Sequence, residues 1–224
     1  VLSAAAVCPH PPLLVPEIAC GAAPELDPLR AACAEAVRRL AAASDVIVVV
    51  GSGPSTRDFG PEAAGSLRPY GADVTVGTGP AVLPLSLTIG RWLLGTRPAG
   101  HRAVAEDAPA ESCARLGAEL GALAGRIGLL VMGDGSACRT ERAPGYLDER
   151  AVGFDAGVAR ALAGADREAL ATLDPALAAD LLAAGRAPWQ VLAGAARDGR
   201  FTGELLADEA PYGVGYLVAS WVRL

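Results

Sequence analysis

The sequence predicts an α/β protein of three layers, with a mostly parallel central sheet flanked by helices, in a single domain spanning 1–224. Three observations carry this expectation. Short runs of apolar, often β-branched residues alternate along the chain with segments of helical period. Within the run at 45–50 the residues Val46 to Val50, like the run at 127–132, are apolar at both alternating positions, as strands covered on both faces are. The chain's 224 residues, 52% of them hydrophobic, are enough to clothe a sheet on both sides.

The elements follow in order. Val1 to Val7 reads as a buried strand. It runs into Pro9-His10-Pro11-Pro12-Leu13-Leu14-Val15-Pro16-Glu17, where four prolines fix φ and hold an extended loop. After Pro24, the residues Leu26, Leu29, Cys33, Val37 and Leu40 fall on one helical face. Asp45 to Val50 is the second strand and Val74 to Val76 a weaker one. Leu83 to Leu94 and Ala110 to Leu123 read as helices, and Ile127 to Met132 as a buried strand. Four helices are expected next: Phe154 to Leu162, Arg167 to Leu173, Pro175 to Ala184 and Pro188 to Ala196. Gly185 and Gly199 read as helix stops. Two strands, Phe201 to Leu206 and Gly213 to Val222, close the chain. No repeat, linker or shift of composition marks an internal boundary.

Composition narrows the function classes. The net charge is −6 and no basic stripe is present, which speaks against nucleic acid as a partner. No apolar run reaches the ~18 residues of a membrane span. No basic region precedes the first apolar stretch, so no secretion signal is expected. The five cysteines (Cys8, Cys20, Cys33, Cys113 and Cys138) are odd in number and form no C-x-x-C pair. That pattern fits reduced thiols in a cytoplasmic protein. Lysine and asparagine are absent, and both use codons that begin AA, so a GC-rich bacterial genome accounts for the bias.

The chemistry concentrates where strands end. His10, one of only two histidines, stands at the C-terminal end of the first strand, where open α/β sheets place ligand-binding groups. Two further loops, 51–58 and 133–139, follow the second and the central strand. Glu209 lies between the last two strands. Loops at the C-terminal ends of parallel strands converge, so His10, Ser52, Asp134, Ser136 and Glu209 are expected at one crevice. The loop at 51–58 is glycine-rich but lacks the spacing of a phosphate-binding motif. Asp134 is equally placed to brace its own loop.

These stretches together resemble the class III extradiol dioxygenases, in particular their LigB-like and Memo-like branch. The proline-flanked His10 loop is similar to the family's opening iron-ligand loop. Gly133-Asp134-Gly135-Ser136 stands where the family reads G-D-L-S-H, and 143–148 with Phe154-Asp155 continue that block. Glu209-Ala-Pro-Tyr-Gly-Val-Gly-Tyr216 resembles the carboxylate-bearing end motif. Active members hold Fe(II) with two histidines and a carboxylate, leaving positions for catechol and dioxygen, and a further histidine moves protons. The resemblance makes His10 the first imidazole ligand and Glu209 the carboxylate, and it implies a homodimer.

The departures are equally specific. Where the family has a motif like S-P-H-G-P, this chain reads Gly51-Ser52-Gly53-Pro54, so Gly53 replaces the second ligand. Ala137 replaces the proton-handling histidine. His101, the remaining histidine, falls in a Gly/Arg-rich stretch, 95–102, that reads as a loop away from either position. Cys8, Cys138, Asp58 and Asp134 are the other donors in range of the motifs. The sequence therefore leads to a dioxygenase-like protein that has lost iron-dependent ring cleavage. It would keep its cleft for binding or regulation, with a small aromatic or other small molecule as ligand. Altered chemistry with Fe(II) or another divalent metal, and retained cleavage of a catechol-type substrate, are the alternatives.

Overall fold

A computed structural model describes residues 1–224. The strands are β1 (Leu2–Cys8), β2 (Val46–Gly53), β3 (Arg57–Phe59), β4 (Gly65–Ser66), β5 (Thr75–Val76), β6 (Gly100–Ala105), β7 (Ile127–Met132), β8 (Phe201–Glu209) and β9 (Tyr216–Arg223). The helices are α1 (Pro16–Ala19), α2 (Asp27–Ala43), α3 (Leu85–Leu94), α4 (Ala110–Gly121), α5 (Arg150–Ala163), α6 (Arg167–Ala171), α7 (Pro175–Asp180) and α8 (Arg186–Ala195). Seven strands form one mixed, mostly parallel sheet in the order β3-β6-β2-β7-β1-β9-β8. The centre β6-β2-β7-β1 is parallel, and β3 and β9 run antiparallel to their neighbours.

Topology explains the layers. The chain steps outward from β1 to β2 to β6, and α2 and α3 cover one face of the sheet. It then returns to insert β7 between β1 and β2, with α4 on the opposite face. Right-handed crossovers require this change of side when the direction of travel reverses. Alternation within β1 shows the division: Ala4, Ala6 and Cys8 pack toward Leu29, Cys33, Leu87 and Ile89, whereas Leu2, Ala5 and Val7 pack with Val191, Leu192 and Trp221. The helical layer on the second face is tight. A Cβ on Gly117 would run into the Val191 carbonyl, so α4 and α8 meet backbone to backbone. Trp221 is fully buried and donates its indole N–H to the Leu162 carbonyl at 2.7 Å, the usual arrangement for a buried indole.

Several expectations need correction. Gly100–Ala105 is a strand where a Gly/Arg-rich loop was expected, because two neighbours, β2 and β3, pair with it despite its weak pattern. Gly51 to Gly53 continue β2, which shortens the second loop to 54–56. Gly185 precedes α8 and begins that helix; it is not a stop. Thr75–Val76 pairs only with β4, outside the main sheet. The proline loop is not extended throughout, since Pro12 opens a short 3-10 turn and Pro16 opens α1, both at the helical position proline suits. Glu209 is the last residue of β8.

Candidate functional site at the ends of the central strands

β1 and β7 are adjacent and parallel, and their loops meet at the topological switch point where the next strands diverge. The Gly133 N–H continues the ladder to the Cys8 carbonyl at 2.9 Å. One residue later, Asp134 Oδ1 accepts the backbone N–H of His10 at 2.7 Å. The imidazole stays close: Nδ1 lies 3.6 Å from the same carboxylate oxygen, too far for a hydrogen bond. Both side chains are largely buried, 9% and 15% exposed. His10 Nδ1 is buried without a hydrogen-bond partner, and so is the indole nitrogen of Trp189, which packs against Gly133. Two unpartnered polar atoms thus flank the Gly133–Asp134 turn, whereas nearly all buried polar groups in proteins are paired.

The rest of the 133–139 loop is tied to the turn that precedes β9. Gly135 N–H donates to the Gly215 carbonyl at 2.7 Å, Gly215 N–H to the Ser136 carbonyl at 2.8 Å, and Arg139 N–H to the Gly213 carbonyl at 3.0 Å. Ser136 is fully buried, and both its N–H and its hydroxyl donate to Asp155, each at 2.7 Å. Arg139 completes this cluster with an ion pair at 3.0 Å. A Cβ on Gly135 or Gly215 would stand 2.7 or 2.6 Å from the Asp155 carboxylate, so only glycine lets the carboxylate in. Ser136, expected in the crevice, serves this internal clamp. The only sequence signal for Asp155 is its place beside Phe154 in the family-like block.

Glu209 is half-buried at the end of β8, directly across from Tyr216 on β9. β9 separates β8 from β1, so two strand spacings, roughly 10 Å, lie between their backbones. The charged neighbour of His10 is Asp134, not Glu209. Tyr216 fills the intervening position; burial first, then the charges of Asp134 and Tyr212, push its phenol well above its ordinary range.

The residues present do not fit the iron that the resemblance implies. No three His, Cys, Asp or Glu side chains converge anywhere in the fold in a group that could hold a metal ion. Gly53, which the resemblance sets in place of the second imidazole, ends β2 against Ala103 and Pro84, and a Cβ there would stand 3.2 and 3.4 Å from them. Ala137 is buried with its N–H on the Leu181 carbonyl. The substitute donors are engaged elsewhere. A hydrogen bond with Cys33, then burial, pushes the Cys8 thiol well up. Burial, then Asp148 and Asp155, raises that of Cys138, which donates to the carbonyls of Leu181 and Gly145. Asp58 pairs with Arg102 at 3.0 Å. His101 is completely buried in β6, with Nδ1 3.1 Å from the Gly60 carbonyl. Burial, followed by the charges of Arg91 and Arg102, lowers its pKa.

No protein-family model and no curated protein matches this sequence. Among solved structures, the chain is similar to an uncharacterized protein from Escherichia coli K12, with a TM-score of 0.58 and 14% identity over 98% of this chain and 99% of that one. At that identity the likeness concerns the fold alone. The full mutual coverage indicates that the whole three-layer arrangement is shared.

Proposed function

We propose that this chain is a class III extradiol dioxygenase-like protein that has lost iron-dependent ring cleavage and retains the strand-end crevice for binding a small molecule, aromatic or otherwise, in a binding or regulatory role. The observation that carries this reading is the environment of His10. The imidazole stands where the resemblance puts a metal ligand, with a buried, unpartnered Nδ1, yet its neighbour is one carboxylate and no second imidazole. One imidazole and one carboxylate hold a divalent ion poorly and do not define the face that leaves positions for catechol and dioxygen. A buried ring nitrogen beside a braced carboxylate remains suited to hydrogen-bond a hydroxyl or amine of a ligand. No helix is long and apolar enough to cross a membrane. A cytoplasmic location and a homodimer, both expected from the sequence, are part of the same proposal.

The test is anaerobic loading with Fe(II), desalting and metal analysis, followed by catechols and oxygen. The expected result is substoichiometric iron and no yellow ring-opened product. Stoichiometric iron with turnover would overturn the reading, and stoichiometric retention of another divalent metal would redirect it to altered metal chemistry. A thermal-shift screen of small phenols and aromatic amines supplies the positive arm. Stabilisation by a hit should disappear in His10→Ala.

A further inference from the structure

The 181–185 segment, which bonds to the 134–137 loop, also borders a concavity of about 550 Å³ between α7, the start of α8 and the turn after β6. None of His10, Asp134, Ser136 or Glu209 lines it. Its wall is mainly apolar, including Pro175, Ala179, Leu182 and Ala183, and its charged lining residues are Arg186, Glu106 and Asp107.

Arg186 is an unusual residue to find there. It is only 3% exposed, yet its partners are all uncharged: Nη1 donates to the Ala108 carbonyl at 2.5 Å and to Gln190 Oε1 at 3.1 Å, and Nη2 to the Glu106 carbonyl. These bonds use three of the five guanidinium N–H groups and leave the Nε–H and one Nη2–H. Elsewhere in this protein that same edge grips a carboxylate side-on, as in Arg38 with Glu35 and Arg126 with Asp45. A buried guanidinium without an anion is costly, and a carboxylate is the partner its fork matches. Glu106 and Asp107 line the same pocket but are exposed, so solvent screens their charge.

Leu182 is a second, independent anomaly at the same place. α7 ends in a Schellman motif: the Ala183 N–H bonds the Ala178 carbonyl at 2.8 Å and the Leu182 N–H bonds the Ala179 carbonyl at 3.1 Å. Leu182 itself, the donor of the second bond, takes a left-handed conformation that favours glycine, at φ 53° and with 53% of its surface exposed. Stability alone would prefer glycine. Strained residues concentrate at ligand sites.

We infer that this pocket binds a small apolar carboxylate, its carboxyl group on the free edge of Arg186 and its hydrocarbon body against Leu182 and the α7 wall. The inference does not rest on the His10 reading. The experiment titrates the intact protein with 3-phenylpropionate and with its neutral amide, followed by calorimetry or ligand-observed NMR. The carboxylate should bind saturably, and the amide roughly tenfold or more weakly, since a hydrogen-bonded charge is lost. Leu182→Gly should weaken carboxylate binding while leaving the unfolding midpoint unchanged or higher, which separates a ligand contact from a folding role. Arg186→Lys, which keeps the charge and removes the planar fork, should weaken it as well. Absence of saturable carboxylate binding, equal affinity for the amide, or full affinity in Leu182→Gly would each overturn the inference.

Discussion

The chain's two histidines are both buried, and each keeps one ring nitrogen without a partner, but they sit in opposite settings. His10 lies just past the end of β1, beside the carboxylate of Asp134. His101 lies inside β6, paired with Val49 and Phe59 on neighbouring strands, and its charged surroundings are the cations Arg91 and Arg102. A mid-strand imidazole is walled by its own sheet and is held neutral. A strand-end imidazole stands where loops can admit a ligand. The difference lies in position along the strand and in the sign of the nearby charge, since burial is common to both.

The same comparison extends to Asp134 and Asp155. Asp155 is 1% exposed and gathers three donors, whereas Asp134 holds one backbone N–H and leaves the His10 ring free. Asp155→Ala should therefore have the largest effect. It would strand Arg139 and two Ser136 donors, and a loss of about 3–5 kcal/mol in urea unfolding is expected. A loss below about 1 kcal/mol would show that the clamp is dispensable and that the comparison misplaces the structural carboxylate.

Asp134→Ala should cost less, about 1–3 kcal/mol, through one unsatisfied buried N–H at His10. Its sharper signature is local. Amide exchange at His10 should accelerate, while protection of the 213–215 pairing persists. Equal acceleration in both segments would merge two sites that are here kept distinct.

The smallest effect is a pH slope. The folded-state pKa of His101 lies below its ordinary 6.5. As pH falls, the unfolded chain takes up this proton first, so the contribution is complete above 6.5 and is lost progressively as pH falls through the folded value. Stability should thus decline on acidification in that window. His101→Leu should remove that part of the decline, judged by urea midpoints measured at several pH values. An unchanged slope would mean that His101 is not the group responsible.

Much of this molecule was legible in order. The β-branched run at 46–50 and the apolar run at 127–132 could only be covered strands, and the spacing of Leu26 to Leu40 could only be one helical face. Burial of both strand faces, or of one helical stripe, leaves its period in the sequence. β6 was not legible, because Gly100-His-Arg-Ala-Val-Ala105 has weak strand character and its pairing with β2 and β3 is a property of the sheet.

The site divides in the same way. The sequence by itself determined the fold class, the strand-end position of His10 and the absence of histidine at Gly53 and Ala137, since these depend on residue type and local period. Only the tertiary structure decided that Asp134 is the neighbour of His10, that Ser136 is committed to Asp155, that β9 stands between His10 and Glu209, and that Arg186 lies buried without an anion. Each of those facts is a contact between residues far apart in the chain, and such contacts follow from strand order and helix packing, which no local pattern encodes.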